Sequence, residues 1–261
     1  MASGAVSITV EGGIARLMLS NPERRNAIST AMWRELSAFA DEAAGRTDIR
    51  VALLRGEGTL AFSGGADISD FNAARSDASG AQSYDEMVES ACAAIEAIAF
   101  PVVALVRGAC VGAGAALAAS CDLRVACEDA FFAVPAARLG LGYDPRGVAR
   151  LVRAYGSQAV RQLFYGADRL SAARAFEMGA IDHKAAPDEV DQLAERLVAR
   201  IAGNAPLTLK AAKLSIRAAQ EVGGAVAAQA RRLTTLANSS ADYREGRLAF
   251  AEKRTPRFTG S

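Results

Sequence analysis

Apolar and polar positions alternate through "SITVEGGIARLMLS" (7–20) on either side of Gly12–Gly13. A period of two interrupted by a glycine pair predicts a β-hairpin. The period then changes. Met32, Leu36, Phe39 and Ala43 recur at helical spacing through "STAMWRELSAFADEAAG", with Gly45 as a stop. "VALLRG" (51–56) is a short, nearly unbroken apolar run and reads as a buried strand. "YDEMVESACAAIEAIA" (84–99) places Val88, Cys92, Ile95 and Ala99 on one helical face. "FPVVALVRG" (100–108) is a second buried strand, "GAGAALAASC" (112–121) a third helix, and "LRVACEDAFFAV" (123–134) two more short strands. Strand, glycine turn and helix thus recur through the first 135 residues, which predicts an α/β fold. From Asp144 onward the chain reads as mostly helical. Residues 72–83, "NAARSDASGAQS", are the one polar, small-residue stretch expected to be a mobile loop. No fixed-period repeat and no long Ser-, Gly- or Pro-rich linker divides the chain.

Composition narrows the classes of function. The 261 residues suffice for one large domain or a core with a helical appendage. Lys+Arg number 30 against 29 Asp+Glu, a formal charge of +1. That balance argues against a dedicated nucleic-acid or membrane-surface binder, which would show a basic excess. Cys92, Cys110, Cys121 and Cys127 form no C-x-x-C pair and sit in apolar surroundings, so they read as buried reduced thiols rather than metal ligands. The start, "MASGAVSITVEGG", has no basic n-region and no long apolar stretch, and the apolar run at 97–121 is broken by Pro101 and Arg107. A cytoplasmic protein is expected.

The candidate chemistry lies in two glycine turns at strand ends. "FSGGADIS" (62–69) follows the strand at 51–55 after a short loop. "VRGACVGAGAAL" (106–117) follows the strand at 102–106 and enters a helix. Small residues let backbone N–H groups approach a ligand without a Cβ in the way. A helix N-terminus adds unpaired N–H groups and a partial positive charge. Two such turns converging on one point would stabilise an enolate or a tetrahedral oxyanion. Neither is a G-x-x-x-x-G-K-[ST] phosphate loop.

Taken in order, "LSNPERRNAIS", "AFSGGADISDF", "PVVALVRGACVGAGAALAASCDLRVACEDAFFAVPAARLGLG" and the ending "DYREGRLAFAEKRTPRFTG" resemble the enoyl-CoA hydratase/isomerase (crotonase) family over nearly the whole chain. The resemblance implies a spiral of ββα units over residues 1–200. A C-terminal helical region over 201–261 would build trimers, often paired into hexamers. The ligand it implies is an acyl-CoA thioester, with coenzyme A part of the substrate and no separate cofactor or metal. The oxyanion donors would be the N–H groups of Ala66 and Ala113. The adenine and pantetheine path would run along Ala66 to Ser69, including Asp67 and Ile68, beside Gly65, Gly112 and Ala27. Arg24 or Arg25 would lie near the CoA phosphates, and Phe258 would cover the adenine.

The sequence departs from the family where its proton chemistry resides. The two glutamates of a hydratase correspond to Ala116 and to Ala136 in "VPAARLG". Alanine carries no proton, so the usual acid/base pair for adding water is absent. Asp144 resembles in position an aspartate base of dienoyl-CoA isomerases, and Tyr143 a tyrosine of methylmalonyl-CoA decarboxylases. Asp144 followed by Pro145 also reads as a helix start, and Tyr143 also as a wall residue. Glu86 and Glu89, on the helix after the loop, could reach a pocket, but they are expected to face solvent. His183, the only histidine, is expected at the surface, and Ser63 lacks a histidine partner for hydrolase chemistry. The sequence therefore leaves open an acyl-CoA hydratase-like enzyme, a decarboxylase or double-bond isomerase, and a non-catalytic acyl-CoA binder.

Overall fold

A computed structural model describes residues 4–70, 78–220 and 224–261. The hairpin is present. β1 (Ala5–Glu11) pairs antiparallel with β2 (Ile14–Ser20). Gly12 and Gly13 turn between them at φ of 59° and 79°, which side chains disfavour. Helix α1 (Thr30–Ala43) begins at Ser29, whose side chain accepts from the Met32 N–H, and buries Met32, Leu36, Phe39 and Ala43 as the spacing predicts.

Three ββα units follow, and each sends one strand to each of two sheets. The first is β3 (Val51–Gly56), β4 (Ala61–Ser63) and α2 (Ala78–Ala97). The second is β5 (Val102–Val106), β6 (Ala109–Val111) and α3 (Ala113–Ala119). The third is β7 (Leu123–Cys127), β8 (Phe131–Ala133) and two helices, α4 (Ala136–Leu139) and α5 (Pro145–Tyr155). Next come α6 (Ser157–Arg161), β9 (Leu170–Ser171), α7 (Ala172–Glu177), β10 (His183–Ala185) and α8 (Val190–Ala202). The larger sheet has the order β1-β2-β3-β5-β7-β10, parallel after the hairpin, and the smaller has the order β4-β6-β8-β9. Every residue of β5 is buried, which explains its unbroken apolar run: both faces of a parallel sheet are covered.

The C-terminal part is helical: α9 (Pro206–Gln220), α10 (Gly224–Ser239) and α11 (Ala241–Glu252). Arg50 ties the chain end to the core by donating to the carbonyls of Ala202 (3.0 Å) and Phe258 (2.8 Å). Buried Asp242 accepts from the N–H groups of Thr259 and Gly260. Among the described residues no helix is long and apolar enough to cross a membrane.

One predicted boundary moves. Helix α2 begins at Ala78, six residues before the periodic stretch that announced it, so residues 78–83 are helix and not loop. Their alanine, glycine and serine content hid the helix, because such residues leave no apolar stripe to read. The rest of the expected loop, 72–77, lies outside the described residues. All four cysteines are buried and free.

Candidate active site

β4 and β6 are parallel neighbours, with Ala61 opposite Ala109 and Ser63 opposite Cys110. Their C-terminal ends therefore deliver the two glycine turns side by side, the usual place for a ligand in a parallel sheet. In the first turn Gly65 has φ +115°. The Ile28 N–H donates to the Gly65 carbonyl (2.8 Å), and the Asp67 N–H donates to the Ile28 carbonyl (3.0 Å). These bonds clamp the peptides on either side of Ala66. In the second turn Gly112 takes φ 51° and ψ −111°, and its N–H donates to the Ala133 carbonyl (2.8 Å). The unusual conformation falls on Gly112, so Ala113 opens α3 without a positive φ. Neither the Ala66 nor the Ala113 N–H has an acceptor among the described residues.

Glycines bring the two turns together. A Cβ on Gly65 would lie 3.3 Å from the Val111 carbonyl oxygen. A Cβ on Gly114 would lie 2.7 Å from the Ser63 Cβ and 2.8 Å from its carbonyl oxygen. Ser63 is fully buried and its Oγ accepts from the Gly65 N–H (3.2 Å), so its role here is to brace the first turn.

Both turns open on a cavity of about 340 Å³. Gly64, Gly65, Ala66, Val111, Gly112 and Ala113 form one part of its wall; most of the remainder comes from α2 and from residues between Val134 and Asp144. Ile68 and Leu139 line it while largely exposed, so they sit at its mouth. Ala136 and Tyr143 line it as well, and the Tyr143 ring meets Phe164 edge-on at 5.1 Å. Burial pushes the Tyr143 phenol up.

Several of the expected residues do not line this cavity. Ala116 lies on the core-facing side of α3, is buried and does not line the cavity. Asp67 turns from the cavity to Arg24, whose Nη1 lies 2.6 and 2.7 Å from its carboxylate oxygens. Asp67 also accepts from the Ser69 N–H (3.0 Å). Burial alone would raise the Asp67 carboxyl, but the hydrogen bonds from Ser69 and Arg24 outweigh it and hold it below the ordinary carboxylate range. Arg25 is exposed in a left-handed turn, φ 53°, and its carbonyl accepts from the Gly64 N–H. Ala27 is buried beside this turn. Phe258 packs against Gly246 of α11, away from the cavity. His183 heads β10, the last strand of the larger sheet, and does not line the cavity.

Asp144 lines the cavity, but its oxygens are committed. It caps α5 by accepting from the Arg146 N–H (2.8 Å), and the Arg146 side chain holds both carboxylate oxygens. The Arg146 bonds lower its pKa. Arg146 also pairs with exposed Glu86.

Glu89 is the correction that matters. Expected at the surface, it is 6% exposed and lines the cavity from α2, one turn after Asp85 on the same wall. Its Oε2 accepts from Arg150 Nη1 at 2.9 Å, and the Arg150 side chain is itself only 4% exposed. Loss of solvent pushes the Glu89 carboxyl up, and the facing Arg150 offsets only part of that rise. The sequence held a signal for it: Asp85, Glu89 and Cys92 share one helical face, so these acids extend the stripe that Cys92 buries. Among the described residues no cluster of His, Cys, Asp or Glu could hold a metal ion.

Fold and cavity together define an α/β protein of ββα repeats with a small-molecule site built on backbone at strand ends. Comparison with known proteins agrees. The sequence profile of the enoyl-CoA hydratase/isomerase family matches residues 9–261. The 2,3-dehydroadipyl-CoA hydratase of Escherichia coli is 34% identical over 245 residues, 94% of each chain. The short-chain-enoyl-CoA hydratase of Clostridium acetobutylicum is 27% identical over 251 residues, 95% of each chain. The crystal structure of an enoyl-CoA hydratase/carnithine racemase from Magnetospirillum magneticum superposes with a TM-score of 0.91 at 30% identity, covering 100% of this chain and 97% of that one. The chain belongs to the enoyl-CoA hydratase/isomerase family, and its two-sheet spiral with a helical C-terminal region is the crotonase-like fold that its motifs imply.

Proposed function

We propose that this chain is an acyl-CoA thioester enzyme that holds the thioester oxygen between the N–H groups of Ala66 and Ala113 and stabilises the enolate formed there. The observation that carries the reading is the pair of acceptor-free backbone N–H groups opening on one cavity. Such donors, fixed before the reaction, need no reorganisation as charge develops, and removing one from a comparable site costs about 10²–10³ in rate. Coenzyme A enters as part of the substrate. Exposed Arg25 is available for its phosphates, whereas Arg24 is already engaged by Asp67.

Hydration by two opposed glutamates is not available to Ala116 and Ala136. A decarboxylase reading based on Tyr143 meets an electrostatic objection. Asp85, Glu89 and Asp144 all line the cavity, and no Lys or Arg does among the described residues, so no cation on that wall is placed to pair with a second carboxylate on the substrate. An isomerase based on Asp144 is disfavoured by the Arg146 bonds that occupy both of its oxygens. The exposed Leu248 and Phe250 of α11, the latter 87% exposed, support assembly into a homotrimer or hexamer through the C-terminal helices.

Crotonyl-CoA tests the reading. Loss of its conjugated-thioester absorbance with 3-hydroxybutyryl-CoA as product would establish hydration without either glutamate. Tight binding without absorbance loss would exclude hydration of this substrate and leave enolate chemistry on other thioesters. Saturable binding with no turnover of any thioester would favour a carrier of acyl-CoA.

A further inference from the structure

The two turns explain how an oxyanion is held but not how a proton moves. Among the described residues three carboxylates reach the cavity. Asp144 is bonded through both oxygens to Arg146. Glu89 differs: Arg150 fixes Oε2, and Oε1 has no hydrogen-bond partner among the described residues. The carboxyl is also seated by the backbone. A Cβ on Gly147, in the first turn of α5, would lie 2.7 Å from Glu89 Oε1 and 3.1 Å from the Tyr143 ring. Glycine at 147 leaves the space that the carboxyl occupies.

We propose that Glu89 is the acid/base group of this cavity, carrying one proton between the α- and γ-carbons of an uncharged β,γ-unsaturated acyl-CoA. This rests on the enolate reading given above. The carboxylate takes a proton from the α-carbon, and the C–H electron pair becomes the enolate, its oxygen held by the Ala66 and Ala113 N–H groups. The enolate then re-forms the carbonyl. The α,β double bond forms, the β,γ π pair takes the proton back from the Glu89 carboxyl at the γ-carbon, and Glu89 returns to its starting state. No oxidant, reductant or water is consumed. A 1,3-proton shift needs one group able to take and return a proton, whereas hydration needs one group for water and a proton donor for carbon. A site that lacks the glutamate pair and keeps one seated carboxylate matches the shift.

The surroundings suit that task. Desolvation raises the carboxyl toward working pH, where a base is most effective. The charged and titratable groups that face it are Arg150 and Arg146 from α5, Asp144 that caps α5, Asp85 and Cys92 from its own helix, and Tyr143. With three carboxylates and, among the described residues, no Lys or Arg on its wall, the cavity favours an acyl chain that carries no second carboxylate.

The test uses the full chain with two probes: conversion of 3-hexenoyl-CoA to the conjugated 2-enoyl ester, and exchange of the α-protons of hexanoyl-CoA in D₂O, read by mass spectrometry. The wild type is expected to do both, with a pH profile rising through one carboxyl ionisation. Glu89→Gln is expected to lose about 10²–10⁴-fold in both rates, to lose that pH limb, and to bind hexanoyl-CoA as before. Glu89→Asp, which keeps a charge facing Arg150, is expected to recover part of the rate; it decides the matter if Glu89→Gln does not fold. Wild-type rates in Glu89→Gln, or a pH limb left unmoved in Glu89→Asp, would overturn the role of Glu89 and leave the enolate reading standing. Binding without α-proton exchange in the wild type would overturn the enolate reading itself, and exchange without double-bond migration would overturn the 1,3-shift.

Discussion

Replacing Gly114 by alanine tests whether the two turns act as one device. The added Cβ would meet the Ser63 Cβ at 2.7 Å and the Ser63 carbonyl at 2.8 Å, against an ordinary carbon–carbon contact of about 3.5–4.0 Å. The obstructing atoms are a Cβ and backbone, so the first turn of α3 must move from β4 by about 0.8–1.3 Å to restore that spacing. That displacement stretches a hydrogen bond of about 2.9 Å past its useful range. An oxygen bonded to the Ala66 N–H would then lose the Ala113 N–H, or the reverse. The expected loss is that of one oxyanion donor, about 10²–10³ in kcat. Overpacking of this kind costs about 1–3 kcal/mol of stability, which lowers Tm by about 2–4 °C per kcal/mol in a chain of this size. The assay is turnover of the best thioester substrate beside a thermal melt. A variant that melts cooperatively, binds CoA ester and turns over at the wild-type rate would refute the coupling of the two turns.

Three further substitutions probe the cavity wall and the loop behind it. Gly147→Ala places a Cβ 2.7 Å from Glu89 Oε1; because that atom ends a side chain it can yield, so turnover should fall by about 10²-fold from misplacement while the melting curve barely moves. Asp144→Asn keeps a competent N-cap and should retain both stability and turnover, measured together; a large loss of turnover with binding intact would make Asp144 the base instead. Asp67→Asn should cost about 1–3 kcal/mol by denaturant titration, since Arg24 and Ser69 lose a charged acceptor. Its pH dependence has a definite sign. The folded pKa of Asp67 is depressed, so the carboxylate stabilises the fold above the ordinary value of about 3.9 and loses that contribution as pH falls through the folded value. The variant should therefore lose less stability on acidification than the wild type.

Most of the fold was legible in the sequence because its signals are local. The glycine pair marked the hairpin, the spacing of Met32, Leu36, Phe39 and Ala43 marked α1, and unbroken apolar runs marked the strands buried on both faces. Both glycine turns were legible for the same reason, since close backbone approach requires residues without bulk. What could not be read depends on contacts distant in sequence. Glu89 looks like any acid on an amphipathic helix until Arg150, 61 residues later, is seen to face it. The gap at Gly147 that seats its carboxyl is likewise invisible without α5 in place. Asp144 was legible only as two alternatives; the structure adds the cap on α5 and the Arg146 side chain that holds both of its oxygens. Ala116 and Ala136 look equivalent in sequence as missing acids, yet only Ala136 lines the cavity, because α3 turns Ala116 into the core.

The central claim is that the backbone N–H groups of Ala66 and Ala113 polarise a thioester carbonyl. The most direct measurement is the ¹³C resonance of a carbonyl-labelled hexanoyl-CoA bound to the protein. The account predicts a downfield shift on binding that largely disappears in Gly114→Ala. A bound resonance at the position of the free ester in the wild type, with binding saturated, would contradict it.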